Sequence, residues 1–364
     1  MLKDILSRAE LKESSELPET RSAPDEDFQT DMEIEDLLKS SRISIKIVGC
    51  GGAGSNTINC IYEEGITGAE LIAANTDAQH LLITKANKKI LLGRRKTRGL
   101  GAGAQPDVGE ESAKECEEDL KKLFESTNIV FITCGLGGGT GTGSAPIIAK
   151  IAKSSGALVC AFVTLPFHGE GTQRMENALW GLERLNDSAD TVIIIPNDKL
   201  LELVPRLPLK MAFKVSDQIL MRAIKGLTEI ITKPGLVNVD FSDINVIMKN
   251  GGYGMIALGE SSDSDDRAAE AVNEAIHSPL LDADISSANG VLINVTGSHD
   301  MTLAEAEKIA ELIQQNVSPT AKIIWGCSID PTMNQNIRIM LILTGVKYKS
   351  VLKFETPSYI PRIE

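Results

Sequence analysis

Aromatic side chains are scarce in this chain of 364 residues: Phe, Trp and Tyr together make up 4% of it. So thin a supply argues against the stacked-ring platforms that hold single-stranded nucleic acid. Surplus positive charge is lacking too. Lys and Arg number 37 against 50 Asp and Glu, a formal net charge of −13, whereas a binder of phosphate backbones needs clustered cations. Long apolar runs are missing: none approaches the roughly 18 residues that read as a membrane-spanning helix, so direct membrane insertion is not expected. The N-terminus, Met1-Leu2-Lys3-Asp4, opens a polar segment without the apolar stretch of a secretory signal. The six cysteines never form a C-x-x-C pair, and several sit inside apolar stretches such as Val159-Cys160-Ala161. They read as buried free thiols in a reducing cytoplasm. Four scattered histidines give no zinc-binding pattern, and no protein-held metal is expected.

What is present falls into distinct textures. Residues 1–40 carry 12 acidic and 5 basic side chains, an acidic arm with room for a short helix at Met32 to Leu38 and a solvated stretch at Ser22 to Asp27. From 41 to 208 apolar strands alternate with helices. Strands are expected at Ile43–Val48, Glu70–Ala74, Ile90–Leu92, Ile129–Thr133, Ala157–Thr164 and Thr191–Ile195. Helices are expected at Glu110–Phe124, Ala145–Ser154 and Arg174–Leu185. Such alternation implies a mostly parallel sheet covered on both faces.

Residues 209–235 are expected to form a central connecting segment, one long helix from about Leu209 to Thr232. Ala212, Val215, Ile219, Ala223, Leu227 and Ile230 recur at helical spacing, and Lys233-Pro234-Gly235 stops the run. Residues 236–348 read as a second, smaller α/β domain without a glycine-rich loop. Its strands are expected at Gly254–Gly259, Gly290–Gly297, Ala321–Cys327 and Asn336–Gly345, its helices at Asp266–His277 and Leu303–Asn316. A tail, 349–364, ends in Ile360-Pro361-Arg362-Ile363.

Two glycine-rich turns carry the chemistry. Ile47-Val48 runs into Gly49-Cys50-Gly51-Gly52-Ala53-Gly54-Ser55-Asn56, a G-x-G-x-x-G match in a strand-to-helix setting. There glycines let backbone N–H groups approach a phosphate at a helix N-terminus. The second turn, Gly137-Gly138-Gly139-Thr140-Gly141-Thr142-Gly143, has five glycines and two threonines in seven residues. The helix after it is expected to begin at Ala145-Pro146 and to aim its positive dipole end at the loop. Two such turns on one sheet suit a triphosphate better than the single pyrophosphate of a dinucleotide. A P-loop is excluded, because no G-K-[ST] ends either run. Asn197-Asp198-Lys199 differs in order from the P-loop guanine motif and reads as the turn into the next helix.

G-G-G-T-G-T-G-[SA] after a buried strand is the signature of the tubulin/FtsZ family, and the chain resembles the FtsZ branch over roughly residues 42–346. Further stretches match in order: Ala74-Asn75-Thr76-Asp77, Arg98 to Gly103, Pro166-Phe167 through Glu170 to Arg174, Pro196 to Leu200, and Asn238-Val239-Asp240-Phe241-Ser242-Asp243. Ser144, where many bacterial members carry alanine, leans toward an archaeal type. The resemblance implies a Rossmann-like GTP-binding domain joined by a long central helix to a smaller α/β domain. It implies a GTPase that polymerises head-to-tail into the midcell division ring.

The resemblance also distributes roles. Gly51, Gly52, Ala53, Gly54, Ser55 and Asn56, together with Gly137, Gly138, Gly139, Thr140, Gly141, Thr142 and Gly143, would cradle the phosphates of GTP or GDP. Ala102 and Gly103 would sense the γ-phosphate, and Asn75 and Asn197 would add contacts. Glu170 and Arg174 match the ribose-contacting pair, although apart from the resemblance a surface ion pair at a helix start is the favoured reading of them. Phe213 and Asp217, at i and i+4 on one helix face, would stack on the base and accept from guanine N1–H and its 2-amino group. Asp240 and Asp243, positioned with Asn238, would polarise the attacking water in the neighbouring subunit's site, with Mg2+. A competing reading makes Asp240 the N-cap of a helix from Phe241, with Asp243 in its first turn. Both can hold together. The tail would dock onto membrane-anchoring division proteins, or it is simply a frayed end. A nicotinamide oxidoreductase built on the first glycine turn, and a structural polymer without turnover, remain the alternatives at this stage.

Overall fold

A computed structural model describes residues 43–348, apart from 204–207, 234, 236, 238, 263–265, 282–283 and 331. The expected arm helix at Met32 to Leu38 and the C-terminal tail lie outside the described residues.

Ten strands form one sheet in the order β3-β2-β1-β4-β5-β6-β7-β10-β8-β9. The first six are β1 (Ile45–Cys50), β2 (Ala69–Asn75), β3 (Lys88–Leu91), β4 (Ile129–Gly135), β5 (Leu158–Leu165) and β6 (Thr191–Pro196). All pair in parallel. Their side chains are buried on both faces, which explains the unbroken apolar runs. Ile47 and Phe131 face one core with Phe162, while Val48, Val130 and Ile132 face the other. The rings of Phe131 and Phe162 meet edge to face at 5.8 Å. Because the chain lays β2 and β3 on one side of β1 and then crosses to β4, the order reverses between β1 and β4. Open parallel sheets bind ligands at such a reversal.

Helices cover both faces: α1 (Gly51–Glu64), α2 (Ala78–Ile83), α3 (Pro106–Glu115), α4 (Glu117–Phe124), α5 (Thr140–Ser154), α6 (Thr172–Ser188) and α7 (Asn197–Leu203). Two expectations need correction. The single helix expected over Glu110–Phe124 is two, broken at Cys116 (φ −102°, ψ 14°), whose thiol bonds the Leu91 carbonyl at 3.7 Å. Lys114 closes the first and Glu117-Glu118-Asp119 opens the second, charges that complement each dipole end. The helix expected from Ala145-Pro146 starts five residues earlier, at Thr140, and contains Pro146. The glycines wind into its first turn, where the Gly143 N–H donates to the Gly139 carbonyl at 3.0 Å.

The long helix is α8 (Leu209–Thr232), at about 1.5 Å per residue some 36 Å long. Its apolar face is wider than the expected stripe, adding Leu220, Met221 and Ile224 to Ala212, Ile219, Ala223, Leu227 and Ile230. After it come α9 (Phe241–Met248), β7 (Gly252–Ser261), α10 (Arg267–Ile276), β8 (Gly290–Gly297), α11 (Leu303–Gln314), β9 (Lys322–Ile329) and β10 (Ile337–Thr344). β7 continues the sheet in parallel from β6, β10 runs antiparallel to both β7 and β8, and β9 is parallel to β8. The two stretches that read as separate domains therefore share one sheet.

Candidate functional site

The turn after β1 and the turn after β4 are neighbours, because these strands pair residue by residue up to Cys50 and Cys134. Close backbone approach explains the glycines. Gly51 has φ +71°, and a Cβ there would lie 2.7 Å from the Gly141 amide nitrogen. A Cβ on Gly54 would meet the Thr133 carbonyl at 2.4 Å, one on Gly139 the Gln105 nitrogen at 2.7 Å, and one on Gly143 the Pro106 carbonyl at 1.9 Å. Gly52 and Gly138 are different: nothing stands within 4 Å of a Cβ on either. These two border open space.

That space is a cavity of about 300 Å3, at the small end of ligand sites. Gly52, Ala53, Asn56, Gly138, Gly139, Thr140, Gly141, Glu170, Arg174, Asn197, Phe213 and Asp217 all line it. Elements as distant in sequence as α1 and α8 meet here. Of the other expected residues, Gly54 and Gly143 hold helices against their neighbours, Ser55 is buried, and Thr142 uses its hydroxyl to accept from the Gly137 N–H at 2.9 Å. Asn75 is buried behind the wall, while Ala102 packs on Gly139, next to Gly103 (φ +58°). A hydroxyl pair, Thr76 to Thr140 at 2.6 Å, ties β2's end to α5's start.

The far wall is built on α8. Phe213 is 39% exposed and meets Phe167 edge to face at 5.2 Å, leaving a ring face for stacking. Asp217 accepts from the Thr57 hydroxyl at 3.3 Å. Burial raises its carboxyl to about 6, against the opposing pull of the Thr57 bond. Asn197 is buried, and its Oδ1 accepts from the Ser216 hydroxyl at 3.0 Å. Glu170 forms an ion pair with Arg174, and its other oxygen accepts from the Phe167 N–H at 3.0 Å. The pair is thus on the cavity rim and is not merely a surface bridge.

Sequence reading missed Thr57, Ser216 and Thr76. No local signal marks Thr57 or Ser216, since the Thr57–Asp217 pair spans 160 residues, whereas Thr76 lies in the family-matching stretch Ala74-Asn75-Thr76-Asp77.

The carboxylates after α8 do not join this cavity. The Asp240 side chain caps α9, accepting from the Asp243 N–H at 2.9 Å, and Asp240 is exposed. Asn238 lies outside the described residues. The sixteen residues of α8 from Asp217 to Thr232 span about 22 Å along its axis, Asp240 follows them in the chain, and neither it nor Asp243 lines the cavity. Among the described residues no group of three or more His, Cys, Asp or Glu could hold a metal ion. A larger cleft, about 740 Å3, runs along the later turns of α8 between Arg222, Lys225, Glu260 and Arg338. It has no glycine loop, whereas both glycine turns open onto the smaller cavity.

Comparison with known proteins agrees along nearly the whole chain. The Tubulin/FtsZ family GTPase domain matches residues 44–205 and the FtsZ family C-terminal domain residues 252–347. The chain belongs to the tubulin/FtsZ family. It is 54% identical to the cell division protein FtsZ 1 of Archaeoglobus fulgidus over 97% of this chain and 94% of that one. For the Thermococcus kodakarensis protein of the same name the identity is 52%, over 99% and 95%. An empty FtsZ dimer from M. jannaschii superposes with a TM-score of 0.83 at 51% identity, covering 92% of this chain and 99% of that one. The CetZ2 protofilament of Haloferax volcanii shares the fold, with a TM-score of 0.72 at 20% identity over 85% and 95%. The chain is thus a GTP-binding, GTP-hydrolysing protein of the cell-division branch of the family. A nicotinamide oxidoreductase is set aside.

Proposed function

We propose that the cavity between β1, β4 and α8 holds GTP, and that hydrolysis is completed by the α9 start of a second copy docked head-to-tail. The observation that carries this reading is the absence of the α9 carboxylates from the cavity wall. Neither Asp240 nor Asp243 lines the pocket of its own chain, and the turns of α8 from Asp217 to Thr232, about 22 Å along the axis, come between them in the chain, so in this reading they serve another subunit's pocket.

In this reading the N-terminal turns of α1 and α5 bind the phosphates through backbone N–H groups, and both dipoles favour the negative charge. The base stacks on Phe213 and donates N1–H and the 2-amino group to Asp217. Glu170 and Arg174 hold the ribose. From the next subunit, Asp243 and Asp240 orient and polarise water in line with the γ-phosphate, and capping at 2.9 Å makes the α9 start a rigid mount for them. Asn238 is assigned to the same loop. A Mg2+ ion bound with the nucleotide would supply charge neutralisation at the phosphates. A site split this way forces a heterologous contact, which builds open filaments. The division of labour follows the expected segments: 41–208 binds, 209–235 connects, 236–348 activates. Cytoplasmic filaments at the midcell ring, tethered through residues 349–364 to membrane-anchoring proteins, complete the proposal.

Phosphate release measured against protein concentration tests it. Specific activity should rise from near zero above a threshold, while monomer below that threshold still binds nucleotide. Activity per molecule that is independent of concentration would remove the shared site.

A further inference from the structure

Beside the first phosphate turn stands a histidine that neither the glycine motifs nor the family match singles out. His80, in the first turn of α2, engages both ring nitrogens. Its Nε2 lies 3.1 Å from Asn56 Oδ1, and its Nδ1 lies 3.1 Å from Asn75 Nδ2. The direction of this chain is set at its inner end. Asn75 Oδ1 accepts from the Asp77 N–H at 3.3 Å, which turns the Asn75 amide nitrogen toward the imidazole, where it donates to Nδ1. A bare Nδ1 puts the proton of the neutral ring on Nε2, and Nε2–H donates to Asn56 Oδ1. The ring's stem is held as well: the His80 N–H donates to Asp77 Oδ1 at 3.0 Å, and the His80 carbonyl accepts from the Thr84 hydroxyl at 2.8 Å. With its oxygen occupied, Asn56 has its NH2 to present to the cavity that it lines.

We propose that His80 is a positioning residue for nucleotide binding: through the Asn75–His80–Asn56 chain it fixes the Asn56 amide with the nitrogen, not the oxygen, toward a phosphate oxygen of GTP. This rests on the reading that the cavity holds the triphosphate. Without the ring the Asn56 amide turns freely, and in half of its orientations a carbonyl oxygen faces an anion. A glutamine at position 80 has the same two functions on one side chain, an N–H for Asn56 and an oxygen for the Asn75 amide.

The test is a titration of the full chain with a fluorescent GTP analogue, comparing wild type with His80→Leu, His80→Gln, Asn56→Ala and the double variant Asn56→Ala/His80→Leu. His80→Leu should weaken binding by roughly three- to tenfold, the scale of one hydrogen bond. His80→Gln should stay near wild type, and His80→Leu should cost nothing further once Asn56 is alanine. In nitrogen NMR the free protein near neutral pH should show the His80 ring protonated on Nε2 and bare on Nδ1. Equal losses for the Leu and Gln variants, an undiminished loss in the Asn56→Ala background, or the opposite tautomer would each overturn the proposal. If the Leu variant does not fold, the Gln variant and the tautomer decide. Failure of the underlying cavity reading looks different: Asp217→Ala would then bind GTP as tightly as wild type.

Discussion

The parallel half of the sheet, β1 to β6, and the mixed half, β7 to β10, are continuous in hydrogen bonding yet handle chemistry in opposite ways. In the parallel half every strand ends at the same edge. The turns after β1, β2, β4 and β5 converge there, and the reversal between β1 and β4 opens a space among them. In the mixed half β10 alone runs against its neighbours, β7, β8 and β9 point the same way as β1 to β6, and no glycine-rich turn follows any of them. What that half contributes is a helix start, α9, with one carboxylate capping it and another in its first turn. The glycine turns and the order reversal, both in the parallel half, thus decide where the pocket forms, and the other half presents groups to someone else's.

The sharpest way to break that comparison is to disable each half separately. Asp243→Ala should lower turnover by about 100- to 10,000-fold, the range for a lost group that handles a proton or stabilises charge, while GTP affinity of the monomer is unchanged. Gly138→Trp should abolish nucleotide binding. Gly138 suits this better than Gly139, since a Cβ there meets nothing within 4 Å, whereas at Gly139 it would crowd the Gln105 backbone at 2.7 Å. Mixing the two inactive variants should restore phosphate release, because the Gly138→Trp subunit still lends its α9 carboxylates. Silence at every ratio, with both variants folded by circular dichroism and co-assembling, would mean that the halves act in cis.

Next in size is base recognition in the binding half. Asp217→Ala should weaken GTP binding by ten- to a few hundredfold, since hydrogen bonds to a charged group are worth about 1.5–3 kcal/mol each. It should also erode the preference over ATP, which offers Asp217 no matching donors. Competition titrations of labelled GTP with both nucleotides check this.

A smaller effect follows from proton linkage at the same carboxyl. Burial raises Asp217 to about 6 in the free protein, and guanine needs the ionised form. GTP affinity should therefore fall about tenfold for each pH unit below 6, and the fall should flatten in Asp217→Asn. The same shift acts on stability. A carboxyl whose folded value is raised above the unfolded one stabilises the nucleotide-free protein fully below pH 3.8. That contribution, on the order of 3 kcal/mol, is lost as pH rises through 6. Asp217→Asn should then melt higher than wild type at pH 7 without nucleotide and about equally at pH 4. The reverse order would contradict the burial of this group.

The smallest effect tests whether the mixed half is uncoupled from binding. Arg267, whose side chain is 11% exposed, joins α10 to Asp300 at 2.7 Å, Glu305 at 2.6 Å and the Gln335 carbonyl at 2.8 Å. Arg267→Ala should cost about 1–3 kcal/mol and lower the melting temperature by several degrees, leaving monomer GTP affinity unaltered. A matching loss of affinity would show that the shared sheet transmits strain between halves.

Local pattern was enough for much of this molecule. Doubly buried strands read as apolar runs, α8 read as a helix ending at Thr232, and Asp240 read as an N-cap, because each depends on neighbours a few residues apart. The glycine turns were legible for the same reason, and their spacing named the family. Tertiary structure decided which glycines face the cavity and which merely let backbones touch: Gly138 and Gly143 are chemically identical, and only the approach of Pro106 separates them. It also decided the pairing of Thr57 with Asp217, the hydrogen-bond chain through His80, and that the α9 carboxylates do not line the cavity. Those are contacts and separations between elements up to 160 residues apart, and no local preference carries them. The residue types were set by sequence, and their company was set by the order in which parallel strands were laid side by side.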